Sequence, residues 1–195
     1  MTHDPAAPAV RASHLKDDLA ALGALGSAAE AAVRARLAPA TLQAIGEALR
    51  TDFLPLALNL ELAEAVFAVA GERGARQWGT ASLLASLDGF FKPLFLGLTR
   101  LVSPSPALMY KTLPQGWLTT YRGCGDLQVS RPGETQARLE GRGLPAGMCG
   151  MPFLTAVCGT MEAVFRISRY SGEVTLQPFE PGGGQAAWTV TWKAT

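Results

Sequence analysis

Three cysteines, Cys124, Cys149 and Cys158, carry the widest chemical range in this sequence, because a thiolate can ligate a metal, form a disulfide or attack an electrophile. Their spacing matches no zinc knuckle and no fourth ligand accompanies them. Cys124 falls in a turn and Cys158 on an apolar helical face, so free buried thiols are the plain reading. The two histidines, His3 and His14, both lie ahead of the first sustained apolar periodicity, and a histidine general base or triad is therefore not expected. Asp88, Asp126 and Glu162 could move protons, although a carboxylate of this kind is ordinarily a solvated surface group. The sequence contains no nucleophile elbow, phosphate-binding loop, dinucleotide fingerprint or zinc-protease motif. Gly182–Gly184 joins two strands and reads as a hairpin turn, not a phosphate cradle. No catalytic residue, metal or cofactor is assigned, and the expectation is a protein that is not an enzyme.

Composition narrows the classes further. Lys and Arg number 17 against 16 Asp and Glu, and no local basic cluster stands out, which speaks against a nucleic-acid partner. The most apolar run, FFKPLFLGLTRLV over 90–102, is interrupted by Lys92, Pro93 and Arg100 and is shorter than the roughly 18 apolar residues of a membrane span. It reads as core, with no membrane partner. The opening MTHDPAAPAVRASH lacks a secretory signal pattern, and with an odd cysteine count this points to a cytoplasmic protein without structural disulfides.

The element that must organise these residues is the stretch 149–170. Pro152 suits a first helical turn, and Phe153, Val157, Thr160, Met161, Val164 and Ser168 recur at helical spacing. Leu154, Cys158 and Phe165 widen that face. Gly159 leaves room for something to pack closely, and Glu162 and Arg166 form an i,i+4 pair on the polar side.

Ahead of this axle the pattern is helical. Residues 1–13 are Pro/Ala-rich and read as a flexible lead-in. Helices follow through Leu15–Leu25, then from a capping box at Ser27 and Glu30, then over Leu42–Leu49. Another covers 59–70 and stops at Gly71 and Gly74, with further helices over 75–87, 90–102 and 107–113. Beyond Gly116 the period changes to two. Trp117, Thr119 and Tyr121, then Leu127 and Val129, then Ala137 and Leu139 read as strands, with turns at 122–126 and 131–134. After the axle, 172–180 and 185–194 form a hairpin around the turn 181–184.

These elements define an α+β fold, a helical N-terminal part followed by an antiparallel sheet of hairpins with one long helix packed across it. The expected organisation is a lead-in over 1–14 and a single domain over 15–195, helical over 15–115 and sheet plus long helix over 116–195.

The segments YRGCGDLQV (121–129), ARLEGRGLP (137–145), GEVTL (172–176) and WTVTW (188–192), with the helix between them, resemble the C-terminal part of the superfamily of haem-nitric-oxide-binding and four-vinyl-reductase domains. From about Leu37 onward the chain also resembles an uncharacterised family of roughly 200-residue proteins expanded in myxobacteria and placed near that superfamily. The resemblance implies a module that senses a small ligand or passes a signal to a partner, and it raises the alternative of a zinc held by Cys124, Cys149 and Cys158. Two departures speak against haem. No histidine lies on a core helix, and Arg169-Tyr170-Ser171 lacks the Tyr-x-Ser-x-Arg spacing with which that branch holds haem propionates.

Trp117, Tyr121, Phe153, Val157, Met161, Phe165 and Trp188, with Trp192, gather large apolar surface around the axle. They either line a pocket for a small hydrophobic ligand or fill the core. Two functions follow: a cytoplasmic sensory or signalling module without haem, or a protein-interaction adaptor or homodimer with no small ligand.

Overall fold

The computed structural model describes residues 7–88, 105–130 and 133–195. Its helices are α1 (Ala12–Ala21), α2 (Ser27–Arg36), α3 (Pro39–Glu47), α4 (Leu56–Asp88), α5 (Pro106–Thr120) and α6 (Met151–Ile167). The strands are β1 (Ala9–Arg11), β2 (Phe53–Pro55), β3 (Tyr121–Arg122), β4 (Asp126–Ser130), β5 (Gln136–Arg142), β6 (Tyr170–Leu176) and β7 (Gln185–Ala194). The α+β class read from the pattern is the class observed.

Four strands form one antiparallel sheet in the order β4-β5-β7-β6. Alternation decides which face turns inward. Ala137, Leu139 and Gly141 of β5 and Ala186, Trp188, Val190 and Trp192 of β7 are buried, while the residues between them face outward. The register sets Leu139 and Leu176 on either side of Trp188. Gly182 and Gly184 adopt positive φ of 74° and 75° in the turn before β7, a backbone that side chains resist.

The axle α6 lies on that inner face. Its Phe153, Leu154, Cys158, Met161 and Val164 share one apolar cluster with Leu127, Leu139, Val174, Trp188 and Trp192. Its opposite side meets α4, where Ala156 joins the second cluster with Leu62, Val66 and Trp78. The result is three layers, sheet, axle and N-terminal helices. The close packing anticipated at Gly159 is reciprocal: a Cβ on Gly159 would fall on the carbonyl of Arg76, and one on Gly79 would fall on the carbonyl of Ala156. The following residues tie the crossing together, with Thr80 Oγ1 donating to the Gly159 carbonyl at 2.8 Å and Thr160 Oγ1 lying 3.2 Å from the carbonyl of Ala156 and 3.5 Å from that of Gly79.

Several expectations are corrected. The lead-in over 1–14 does not extend to its end: β1 is the centre of a second sheet, β2-β1-β3, with Ala9 and Val10 fully buried, and α1 begins at Ala12. Pairing to strands more than forty residues away orders this segment. Trp117 and Thr119 are helical, because α5 continues through Pro114 to Thr120. The stop expected at Gly71 is, by contrast, observed: its φ of 63° and ψ of −166° are not helical, and the span Leu56–Asp88 named α4 is two helices meeting at a kink there. The cap of α2 is Gly26, whose carbonyl takes the Glu30 N–H, while the Glu30 side chain pairs with Arg34 at 2.9 Å, so the capping box is not formed. Glu162 turns from Arg166 to Arg76 across the helix crossing. The helix expected over 90–102 lies outside the described residues, as do two residues of the turn at 131–134.

Candidate functional site

All seven pocket candidates belong to, or pack against, the main core cluster. Trp117, Phe153, Met161 and Trp188 are buried within it, and Tyr121, Val157 and Phe165 close on it from the edge. They form two groups. Trp117, Tyr121 and Phe153 place their rings 4.6, 6.3 and 6.2 Å apart in tilted and edge-on contacts. On the other side of the cluster Tyr110, which sequence reasoning did not single out, lies 6.4 Å from Phe165 and 5.7 Å from Trp192. Tyr110 is fully buried and its hydroxyl donates to the Met161 carbonyl at 3.0 Å. Its polar atom inside an apolar helix face was the signal available for it.

The two described grooves lie elsewhere. One, of 590 Å³, runs between the second half of α4 and α6 and includes Arg73, Arg76, Glu162 and Arg166. The other, of 520 Å³, follows β6 and the loop after it to Phe179. Neither is lined by any of the seven candidates. Arg76 stands between the grooves, bound to Glu162, to Glu72 at 3.3 Å and to the Val174 carbonyl at 3.1 Å. Beneath it, burial pushes the Cys158 thiol up to about 11, with the Arg76 guanidinium pulling the other way.

The cysteines remain separate. Cys124 Sγ donates to the Arg122 carbonyl at 3.1 Å, Cys149 Sγ to the Gln185 carbonyl at 3.9 Å, and Cys158 sits in the α6 core face. Among the described residues no three His, Cys, Asp or Glu gather as a metal site.

A buried polar cluster was missed by the sequence reading. Asp18 of α1 is 2% exposed. Its carboxylate accepts from Ser82 Oγ and from Asn59 Nδ2 at 3.0 Å, its carbonyl accepts from Trp78 Nε1 at 2.8 Å, and His14 Nε2 lies 3.5 Å away. His14 is thus part of the folded interior, and the reading of it as part of a lead-in is corrected. The i,i+4 spacing of His14 and Asp18 was the one local signal.

Burial raises the Asp18 carboxyl above its ordinary range, opposed by His14 and the Ser82 hydrogen bond and reinforced by Asp17. A raised acid in the folded state contributes stability that is full below its unfolded value near 4 and is lost as pH rises through the folded value. In a His14→Gln background, which removes the imidazole titration, Asp18→Asn is therefore expected to gain on its parent as pH rises from 4 to 7 in urea melts. The amide has one acceptor oxygen where the carboxylate had two, which offsets the whole curve, so the slope is the measurement. A pH-independent difference would contradict the assignment.

The architecture is that of the H-NOX domain. The chain is similar to an Fe(II) unliganded H-NOX protein from K. algicida at 11% identity and TM-score 0.64, over 95% of this chain and 97% of that one. It is also similar to an oxygen-binding H-NOX domain related to soluble guanylate cyclases at 11% identity and TM-score 0.59, over 93% of each chain. A third neighbour, at 10% identity and TM-score 0.60, is described by the modulation of haem redox potential through porphyrin distortion. No family model and no curated protein matches the sequence.

These neighbours bring haem into question. Axial ligation needs His, Cys, Met or Tyr facing a cavity. His14 is committed to the Asp18 cluster, and the Tyr110 hydroxyl is spent on Met161, with burial and Glu162 holding that phenol far above its ordinary value. Cys124 and Cys158 are raised by burial, which disfavours their thiolates. Met148 and Met161 are enclosed by the main cluster. Residues 89–104 contain no His, Cys, Met or Tyr. None of these six side chains, His14, Tyr110, Cys124, Cys158, Met148 and Met161, is an uncommitted axial ligand.

Proposed function

We propose that this chain is a sensory or signalling module of H-NOX fold that works without haem, is not an enzyme, resides in the cytoplasm and acts through a protein partner. The observation that carries this reading is the Tyr110–Met161 hydrogen bond inside the aromatic core cluster, in a chain matched over 95% of its length to a haem-domain fold. The helix that carries Tyr110 has no histidine, and its one phenol is spent on a backbone carbonyl. The small-hydrophobic-ligand form of the reading requires space beside Met161, and neither groove touches that residue. The protein-partner form needs no such space.

Expression with added iron and haem precursor provides the test. The expected product is colourless, lacks a Soret band, and gives native mass spectra of bare protein. About one haem per chain by pyridine haemochromogen assay would overturn the haem-free reading. Stoichiometric added mass of an organic ligand would instead support the hydrophobic-ligand form.

A further inference from the structure

The Tyr121 hydroxyl has two acceptors within reach, His14 Nε2 at 3.2 Å and Asn59 Oδ1 at 3.4 Å. It carries one proton and can serve only one of them fully. Which one it serves depends on the imidazole. A neutral ring with Nε2 unprotonated accepts from Tyr121, whereas an imidazolium has a hydrogen on both nitrogens and cannot accept. Nε2–H then donates, and Asp18 Oδ2 lies 3.5 Å from it.

We propose that His14, Tyr121 and Asn59 form a proton-operated two-position hydrogen-bond switch, in which a proton taken from solvent by His14 sends the Tyr121 hydroxyl to Asn59 and draws the imidazolium onto Asp18. The parts are prepared for it. The His14 side chain is 24% exposed, so solvent reaches it, while that of Asp18 is 3% exposed. Asn59 donates its Nδ2 to Asp18, which fixes the amide with Oδ1 toward Tyr121. Ser82 holds the other Asp18 oxygen, so the carboxylate stays in place through the change.

Among the described residues, the other charged groups near this position are held by partners of their own, with Asp17 acting on Asp18 through its charge. On α1, Asp17 is engaged by Arg50 at 2.7 Å and Ser86 at 3.0 Å, and Lys16 donates to the Gly46 carbonyl. From β1, Arg11 donates to the Thr119 carbonyl and stands over Phe53. The α4 helix faces the cluster with Asn59 and Ser82, which do not titrate, and Cys124 beside Tyr121 donates to backbone. The switch has an outlet as well, since the Tyr121 ring rests on Trp117 and Phe153, which belong to α5 and α6. It joins the N-terminal segment to the axle.

The inference stands apart from the haem question, and haem content does not enter its test. A chain carrying His3→Gln leaves His14 as the one imidazole, and its ring signals are followed by NMR from pH 5 to 8 together with those of Tyr121, assigned by comparison with Tyr121→Phe. The expected result is one step with a common midpoint in both side chains. With His14→Gln, which keeps an acceptor but takes no proton in this range, the Tyr121 step at the imidazole midpoint is expected to be lost, and adding Asp18→Asn removes any change that follows the neighbouring carboxyl. An imidazole that titrates while Tyr121 does not respond, a Tyr121 step at that midpoint that survives His14→Gln with Asp18→Asn, or an imidazole that never titrates would each overturn the switch.

Discussion

Gly159→Ala is expected to cost about 2–4 kcal/mol of folding stability, and Gly159→Leu is expected not to fold. The added Cβ has nowhere to go. It meets the backbone carbonyl of Arg76, which belongs to a helix that is itself pinned by the Thr80 hydrogen bond and by the Arg76–Glu162 pair. A flexible side chain could step aside, but a helix backbone moves only by separating α4 from α6 along their length. Gly79→Ala meets the Ala156 carbonyl from the other helix and should cost a similar amount. Because either change opens the same crossing, the double variant should cost less than the sum. Gly46→Ala is the control. It lies in α3 with no atom within 4 Å of its would-be Cβ, and the substitution should add about 0.5–1 kcal/mol by restricting the unfolded chain. Urea melts followed by far-UV circular dichroism separate the cases. A Gly159→Ala chain within about 0.5 kcal/mol of the parent would mean that the helices are not in backbone contact.

Trp188→Ala should cost about 3–5 kcal/mol, the range for truncating a buried large aromatic. Trp188 is fully buried at the middle of β7, flanked in register by Leu139 and Leu176 and covered by the α6 face. Its indole N–H faces the Cys158 sulfur and no oxygen or nitrogen acceptor, so Trp188→Phe gives up volume and one weak N–H···S contact and should cost clearly less. The same variant tests whether the native core is full. Added indole should raise the Tm of Trp188→Ala, whose cavity it can enter, and leave the parent unchanged. A rise in the parent would establish free space in the aromatic neighbourhood and revive the hydrophobic-ligand reading.

How much could be read without the structure differs from element to element. The faces of β5 and β7 were legible because period two is a local property, and Ala137, Leu139, Trp188, Val190 and Trp192 all turn inward as expected. The axle was legible for the same reason at period 3.6, including the close approach at Gly159. The end of α5 was not. Trp117 and Tyr121 are four residues apart, so they satisfy an alternating strand and a helical face equally, and only their joint packing on Phe153 resolves the ambiguity. A three-residue strand such as β1 carries no period at all, since its order comes from partners at 53–55 and 121–122. The Asp18 cluster is hidden by sequence distance, because Asn59, Ser82 and Tyr121 mean nothing to Asp18 until the chain has folded.

The strand order has a consequence for the timing of assembly. β7 is the inner strand that joins β5 to β6, yet it is the last of the four to be synthesised, and β1, at the centre of the other sheet, precedes both of its partners. At roughly 5–20 residues per second, β5 leaves the ribosome seconds before the strand that covers its edge. Through that interval the nascent chain presents the open side of Gln136–Arg142, with Ala137 and Leu139 uncovered. The central sheet is therefore closed by its final strand, in one late, long-range step, and a chain stalled before residue 185 holds a half-built β-sheet with a free templating edge.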